Sequence, residues 1–157
     1  MKTILLSLLA LLSFASNAAA QTVQLGKRVP DIRPREWLAG VRPSGDAQLY
    51  AIEFCHAGSQ RSIANLEKLR LLAQQTGGGF QIIAVAGGDR STAAEAFKKF
   101  ADEGLAVAID DEGRYFKSFG VTYLPACAIT DKSGRALWVG DSGQLTPAMI
   151  QRLKEQK

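Results

Sequence analysis

Apolar positions in the central part of the chain follow two different periods. Residues 47–54 are rich in apolar and aromatic side chains, a composition that predicts a strand. The apolar residues of 59–75 recur at spacings of three and four, which predicts an amphipathic helix. Residues 80–86 form a continuous apolar run bounded by turn residues, as is typical of a buried parallel strand. The order strand, helix, strand predicts a right-handed βαβ unit.

The pattern continues with shorter elements toward the end of the chain. A second helix is predicted over 91–103, with Ser91 as its N-cap. A short strand is predicted over 105–109 and a short helix over 112–119. A closing helix is predicted over 145–155. This alternation of strands and helices indicates the α/β class.

The first 20 residues have the pattern of a secretory signal peptide. Lys2 gives a positive start, residues 4–15 are mainly apolar, and alanines precede a cleavage site near Ala20 and Gln21. The apolar stretch is shorter than the ~20 residues that a transmembrane helix needs, so stable membrane insertion is not expected. We therefore expect a periplasmic or secreted protein.

The rest of the chain has the length and the charge pattern of one ordinary domain. Residues 21–46 contain three prolines and are expected to form an extended lead-in, with a single domain over 47–157. The formal net charge is +4, and the basic residues are scattered among acidic ones. This pattern does not indicate a nucleic-acid-binding protein.

Two stretches carry a resemblance to a known family. The first, QLYAIEFCHAGSQRS at 48–62, runs from the predicted strand through a short loop into the predicted helix. The second, GVTYLPACAITDKSGRALWVG at 120–140, has a Gly-Val-x-x-x-Pro turn, then a strand, an Asp-Lys-x-Gly hairpin and another strand. Together they resemble the TlpA-like thioredoxin family, exported thiol-disulfide oxidoreductase-like proteins related in architecture to peroxiredoxins. The resemblance covers about residues 36–155.

This resemblance implies an α/β thioredoxin-like fold over 47–157, with a mixed central sheet flanked by helices. It also implies that the helix and strand before Pro125 are the αβ insertion of TlpA-like proteins and peroxiredoxins. In the family, the proline of the turn is cis and faces the active site. Pro125, with Tyr123 and Leu124, is therefore expected to shape a groove that holds an extended partner segment by backbone hydrogen bonds.

The resemblance does not extend to the Cys-x-x-Cys motif of the family. Thiol exchange needs a thiolate at a helix N-terminus and a second thiol three residues on. Matching the strand places Ser59 and Ser62 in the cysteine positions, whereas matching the apolar spacing of the helix places His56 and Ser59 there. We expect the helix match to hold, because apolar spacing decides which face is buried. Neither match supports dithiol chemistry, since a serine hydroxyl is hardly ionised near neutral pH and forms no disulfide.

Cys55 remains a candidate catalytic nucleophile beside His56, the only histidine of the chain. In the reactive interpretation the imidazole lowers the thiol pKa, and in the structural one Cys55 is a small buried apolar residue. Cys127 lies on a strand expected to neighbour the first one, so a Cys55–Cys127 disulfide is a further alternative. Glu53 resembles the buried carboxylate that serves the family's dithiol as a proton shuttle. Without that dithiol we interpret Glu53 as structural.

Two functions follow from these observations. We expect a redox-degenerate accessory factor that binds an envelope or secreted protein, for which a conjugation or secretion system is one candidate. The alternative is a thiol-disulfide oxidoreductase that uses Cys55 alone or paired with Cys127. One histidine and two cysteines are a thin set for a tetrahedral metal site, so neither a metal nor a cofactor is predicted.

Overall fold

The computed structural model describes residues 22–156, so the predicted signal peptide lies outside the described residues. This part of the chain forms five strands and four α-helices. Their order is β1 (Leu49–His56), α1 (Gln60–Gln75), β2 (Phe80–Gly87), α2 (Arg90–Phe97), β3 (Leu105–Asp110), α3 (Arg114–Ser118), β4 (Ala126–Asp131), β5 (Ala136–Gly140) and α4 (Pro147–Glu155). Short 3-10 turns occupy Leu38–Gly40, Lys98–Phe100 and Ser142–Gln144.

The five strands form one mixed sheet in the order β3-β2-β1-β4-β5. β1, β2 and β3 are parallel, while β4 runs antiparallel to β1 and β5 antiparallel to β4. The predicted βαβ unit is present as β1, α1 and β2. The expected α/β class and mixed sheet are thus confirmed, whereas the assignment of α2 and β3 to an insertion stays a prediction.

Successive side chains of β1 enter two different cores, because neighbouring residues of a strand point to opposite faces of the sheet. Leu49, Ala51 and Cys55 belong to a core that α1, α2 and α4 cover, called here the three-helix face. Ile52 and Phe54 belong to a smaller core that α3 covers together with the N-terminal segment, called here the α3 face. The candidate site lies where both cores meet the carboxyl end of β1.

The N-terminal segment lies along both outer strands of the sheet. Gly26 N donates to Ala136 O at 2.8 Å, and Ala136 N donates to Lys27 O at 2.9 Å. Further along, Trp37 forms an antiparallel bridge with Ala108 of β3. These contacts satisfy part of the backbone that outer strands leave unpaired.

The boundaries of α2, α4 and β1 differ from the predictions. α2 begins at Arg90, because Asp89 and not Ser91 is its N-cap and accepts from Thr92 N at 3.0 Å. It also ends earlier than predicted, at the 3-10 turn Lys98–Phe100. α4 begins at Pro147 rather than at residue 145, because a residue that precedes proline is disfavoured in the helical region. β1 continues to His56 rather than ending at residue 54.

Candidate functional site

Two serines occupy the first turn of α1. Ser59 is the N-cap, and its Oγ accepts hydrogen bonds from Ser62 N at 3.2 Å and from Ser62 Oγ at 2.9 Å. Ser62 is fully buried. A helix N-terminus with a second group three residues on is the arrangement that thiol exchange requires, but here both groups are hydroxyls. The structure therefore favours the match of Ser59 and Ser62 to the cysteine positions over that of His56 and Ser59.

His56 is the last residue of β1 and is exposed. Its Nδ1 accepts a hydrogen bond from Gly58 N at 3.0 Å. The ring also lies against Gly88, where an added Cβ would stand 2.7 Å from Nε2. The imidazole thus packs on the loop between β1 and α1 and on the end of β2, outside the helix N-terminus.

Cys55 and His56 do not form the pair that the reactive interpretation requires. The two residues are neighbours in a strand, so their side chains point to opposite faces of the sheet. Cys55 is fully buried, and its Sγ donates to Val85 O at 3.6 Å. Burial, with a smaller contribution from the charge of Glu53, raises the pKa of this thiol well above its usual value. A neutral and inaccessible thiol is a poor nucleophile.

Cys127 lies opposite Glu53 in the β1 and β4 ladder, whereas Cys55 pairs with Ala86 on the other side of β1. Both cysteines are free thiols in the structure. They are diagonal neighbours on the three-helix face, and such diagonal pairs lie roughly 7–8 Å apart. That spacing exceeds the ~4.4–6.8 Å between Cα atoms that a disulfide spans. Burial raises the pKa of the Cys127 thiol well above its usual value too.

Glu53 is a buried acid with almost no polar compensation. It is fully buried, and neither carboxyl oxygen has a hydrogen-bond partner of acceptable geometry among the described residues. Burial raises its pKa from 4.5 to about 8, and the negative charge of Asp141 acts in the same direction. The neighbouring Ser142 and Cys127 side chains partly oppose this rise. Glu53 is consequently a neutral carboxylic acid at pH 7.

A turn after β5 closes over Glu53, and sequence reasoning missed it. Ser142, also buried with an unpartnered hydroxyl, lies in this turn. The turn is held to α1 by Asp141, whose Oδ1 accepts from Asn65 Nδ2 at 2.8 Å and from Gly143 N at 2.9 Å. Its Oδ2 pairs with Arg61 at 2.6 Å. An Asp-Ser-Gly sequence directly after a strand was the available signal, since such sequences form Asx turns.

The three residues predicted to shape the groove have different environments. The peptide bond between Leu124 and Pro125 is cis, as predicted. Pro125 is buried and Leu124 is half-buried against the α3-face core. Tyr123 is 78% exposed and borders a pocket of about 420 Å³ between the segment that follows α3 and strands β1, β4 and β5. The candidate binding surface thus extends from the α1 N-terminus over Tyr123 onto the α3 face.

The described part of the chain lacks two features. Residues 22–156 hold no group of three or more histidine, cysteine, aspartate or glutamate side chains that could bind a metal ion. Within the same residues, every helix is too short or too polar to cross a membrane.

Comparisons with known proteins find similarity in structure but not in sequence. No protein-family model matches the chain. No curated protein matches it either. The thioredoxin domain of a thiol-disulfide oxidoreductase from Bacteroides vulgatus superposes with a TM-score of 0.64 at 16% identity, covering 83% of this chain and 98% of that one.

The chain has a thioredoxin-like fold. A second structure with this fold is the exposed lipoprotein thioredoxin of Streptococcus pneumoniae, with a TM-score of 0.56 and 20% identity over 71% of this chain and 87% of that one. A third is a secreted disulfide oxidoreductase of Mycobacterium tuberculosis, with a TM-score of 0.53 and 12% identity over 69% and 81%. The thioredoxin-like fold of this chain therefore presents Ser59 and Ser62 at a helix start without any Cys-x-x-Cys pair.

Proposed function

We propose that this chain is an exported, redox-degenerate thioredoxin-like protein that binds a protein partner in the cell envelope. One observation carries the proposal. Serines occupy the start of α1, where exchange needs thiols, while Tyr123 is exposed beside an apolar pocket of about 420 Å³. Recognition of an extended segment uses backbone hydrogen bonds and does not depend on a thiolate.

The two cysteines do not replace the missing dithiol in this proposal. Cys55 and Cys127 are both buried, and the pKa of each thiol is raised. Exchange proceeds through attack by an accessible thiolate. Burial opposes the exposure of each thiol, and the raised pKa opposes its deprotonation. The protein would act as an accessory or assembly factor rather than as a catalyst.

Export is part of the proposal and has two supports. The first 20 residues have the charged start, apolar stretch and small-residue end of a signal peptide. Two of the similar structures are described as an exposed lipoprotein and as a secreted protein. The partner would then be an envelope or secreted protein, and a conjugation or secretion system is one candidate source.

Site-specific photo-crosslinking in the native host tests this function. A benzoylphenylalanine at Tyr123 is compared with one at Leu71, an exposed apolar residue of α1 that is 57% accessible. We expect a discrete protein adduct from position 123 and none from position 71. The same adduct should form in the Cys55→Ala/Cys127→Ala variant, since the proposed contact needs no thiol.

An enzymatic measurement distinguishes the proposed function from the alternative one. Purified protein should reduce the disulfides of insulin no faster than the cysteine-free variant does. A rate well above that variant, lost on Cys55→Ala alone, would instead support a thiol-disulfide oxidoreductase that uses Cys55. Loss of the crosslink in the cysteine-free protein would refute thiol-independent binding.

A further inference from the structure

Exposed apolar residues of the described chain concentrate beside one pocket. Tyr123 at 78% and Val139 at 46% exposure both line the pocket of about 420 Å³. Leu25, at 66%, follows the lining residue Val23 by two positions. Of the large apolar residues described as exposed, Leu71 alone lies elsewhere, on α1. Clustered apolar exposure of this kind marks interaction surfaces.

The pocket is built to receive an apolar group. Phe54 of β1, Phe119 and Val121 form its walls on the α3 face. Ala126 and Ala128 of β4 also line it, and their small side chains leave space above the sheet. Its volume lies within the ~300–1,000 Å³ that ligand pockets usually have.

One rim of the pocket is an open backbone edge. Val139 belongs to β5, the outer strand of the sheet. The N-terminal segment pairs with the start of β5 at Ala136 and then leaves it through a turn in which Lys27 N donates to Gln24 O at 3.1 Å. Within the described chain, no strand pairs with the outer side of residues 137–140. Unpaired edge groups are the site at which an extended peptide adds to a sheet.

Two exposed lysines lie close in sequence to residues that line the pocket. None of the residues that line it is acidic. Lys117 lies beside it, since its carbonyl accepts from the lining residue Gly120 at 3.1 Å, and Lys27 follows the turn after Val23. Both lysines are exposed, and neither forms an ion pair within residues 22–156. A ligand with acidic flanks complements this rim.

We propose that the pocket and the open edge of β5 bind an extended segment of the partner protein that carries one apolar anchor between acidic residues. The anchor fills the pocket, the backbone pairs with residues 137–140, and the acidic flanks face Lys27 and Lys117. A fatty acid would match the pocket and the charge but would leave the edge unpaired, which favours a polypeptide. This inference rests on the proposed function and names the chemistry of its partner.

Fluorescence anisotropy with a synthetic probe tests the inference. The probe is a labelled seven-residue peptide with a central phenylalanine, a valine on either side and two acidic residues at each end. We expect it to bind at least tenfold more tightly than a matched peptide with lysines in place of the acidic residues. N-methylation of alternate backbone nitrogens should cost at least tenfold in affinity, because it blocks strand pairing.

Two variants of the protein locate the contact. Val139→Asp should lower the affinity for the acidic peptide at least tenfold. Leu71→Asp, a matched change on α1, should leave that affinity unchanged. Lys27→Glu with Lys117→Glu should reverse the preference between the two peptides. The control that changes net charge equally is Lys98→Glu with Lys132→Glu, and it should keep the preference.

Each remaining outcome overturns the inference. Equal affinity for the acidic and basic peptides, full binding of the N-methylated peptide, or an unchanged affinity in the Val139 variant would each do so. Displacement of the probe by palmitate with no effect of N-methylation would assign the pocket to a lipid. A Tyr123 crosslink that persists in the Val139 variant would leave the proposed function standing while this inference fails.

Discussion

Replacement of Glu53 by glutamine should remove a strong dependence of stability on pH. Glutamine keeps the shape of the side chain and cannot ionise. In the native protein, burial raises the pKa of Glu53 from 4.5 to about 8. Between these two values the unfolded chain has an ionised Glu53 while the folded chain keeps the proton. The folded state thus binds more protons, and the free energy of unfolding falls as pH rises.

The size of the effect follows from the same two values. One unit of difference in pKa corresponds to about 1.4 kcal/mol. A pKa that rises from 4.5 to about 8 on folding therefore lowers the free energy of unfolding by at most about 5 kcal/mol, once Glu53 is ionised in both the folded and the unfolded chain. Below pH 4.5 both states are protonated and the cost vanishes. Such a loss is a large fraction of the ~5–15 kcal/mol that stabilises an ordinary domain.

Urea denaturation from pH 5 to pH 8.5 measures this effect. The free energy of unfolding of the native protein should fall by several kcal/mol relative to Glu53→Gln across that range. Glu103→Gln, a change at an exposed carboxylate, serves as the control and should track the native protein. Unfolded Cys55 and Cys127 begin to ionise near the upper end of this range, but the native protein and Glu53→Gln both carry these thiols, so their contribution cancels in the difference.

A constant difference between the native protein and Glu53→Gln would refute the reasoning. It would show that the carboxyl ionises in the folded state as readily as in the unfolded chain. An infrared difference spectrum between the native protein and Glu53→Gln at pH 6.5 gives a second test. Carboxylate bands in place of a carboxylic acid C=O band would lead to the same conclusion.

Three further predictions concern the thiols and two structural contacts. Cys55 and Cys127 should react with iodoacetamide at pH 7.5 at least a hundredfold more slowly in the native protein than in urea, as intact mass would show; fast labelling of Cys55 would contradict its burial. Asp141→Ala should lower the free energy of unfolding by about 2–3 kcal/mol, because charged hydrogen bonds to α1 are lost. Lys154→Met should cost about 1–2 kcal/mol in the same assay, since Lys154 Nζ donates to Thr76 O at 2.7 Å at the end of α1; an unchanged midpoint would refute that role.

Local apolar patterns are sufficient to predict β1, β2 and β3, whereas β4, β5 and the mixed sheet follow from the family resemblance. The continuous run of β2 and the spacing of three and four in α1 both depend on residues within one element. The end of β1 was not predictable in this way. Cys55 and His56 stay in the strand because they pair with Ala86 and Gly87 of β2, which a local pattern does not show.

The environment of the site depended on contacts that are distant in sequence. The family resemblance implies a buried carboxylate at Glu53, but its pKa depends, besides burial, on Ser142 and Asp141 in a turn after β5. The N-cap of α2 was missed for a local reason. Ser91 and Asp89 are both good caps, and the helix begins where Asp89 can accept from Thr92 N.

The hydrogen bond between Ser59 and Ser62 makes the start of α1 independent of the redox state of its surroundings. A dithiol at this place changes its covalent structure with the redox potential of its surroundings, and the surface around it changes with it. Hydroxyl groups do not take part in that equilibrium, and the two thiols of the chain lie within the core. The start of α1 therefore keeps one shape under oxidising and reducing conditions, so the affinity for the proposed partner would not change with the redox potential of the surroundings.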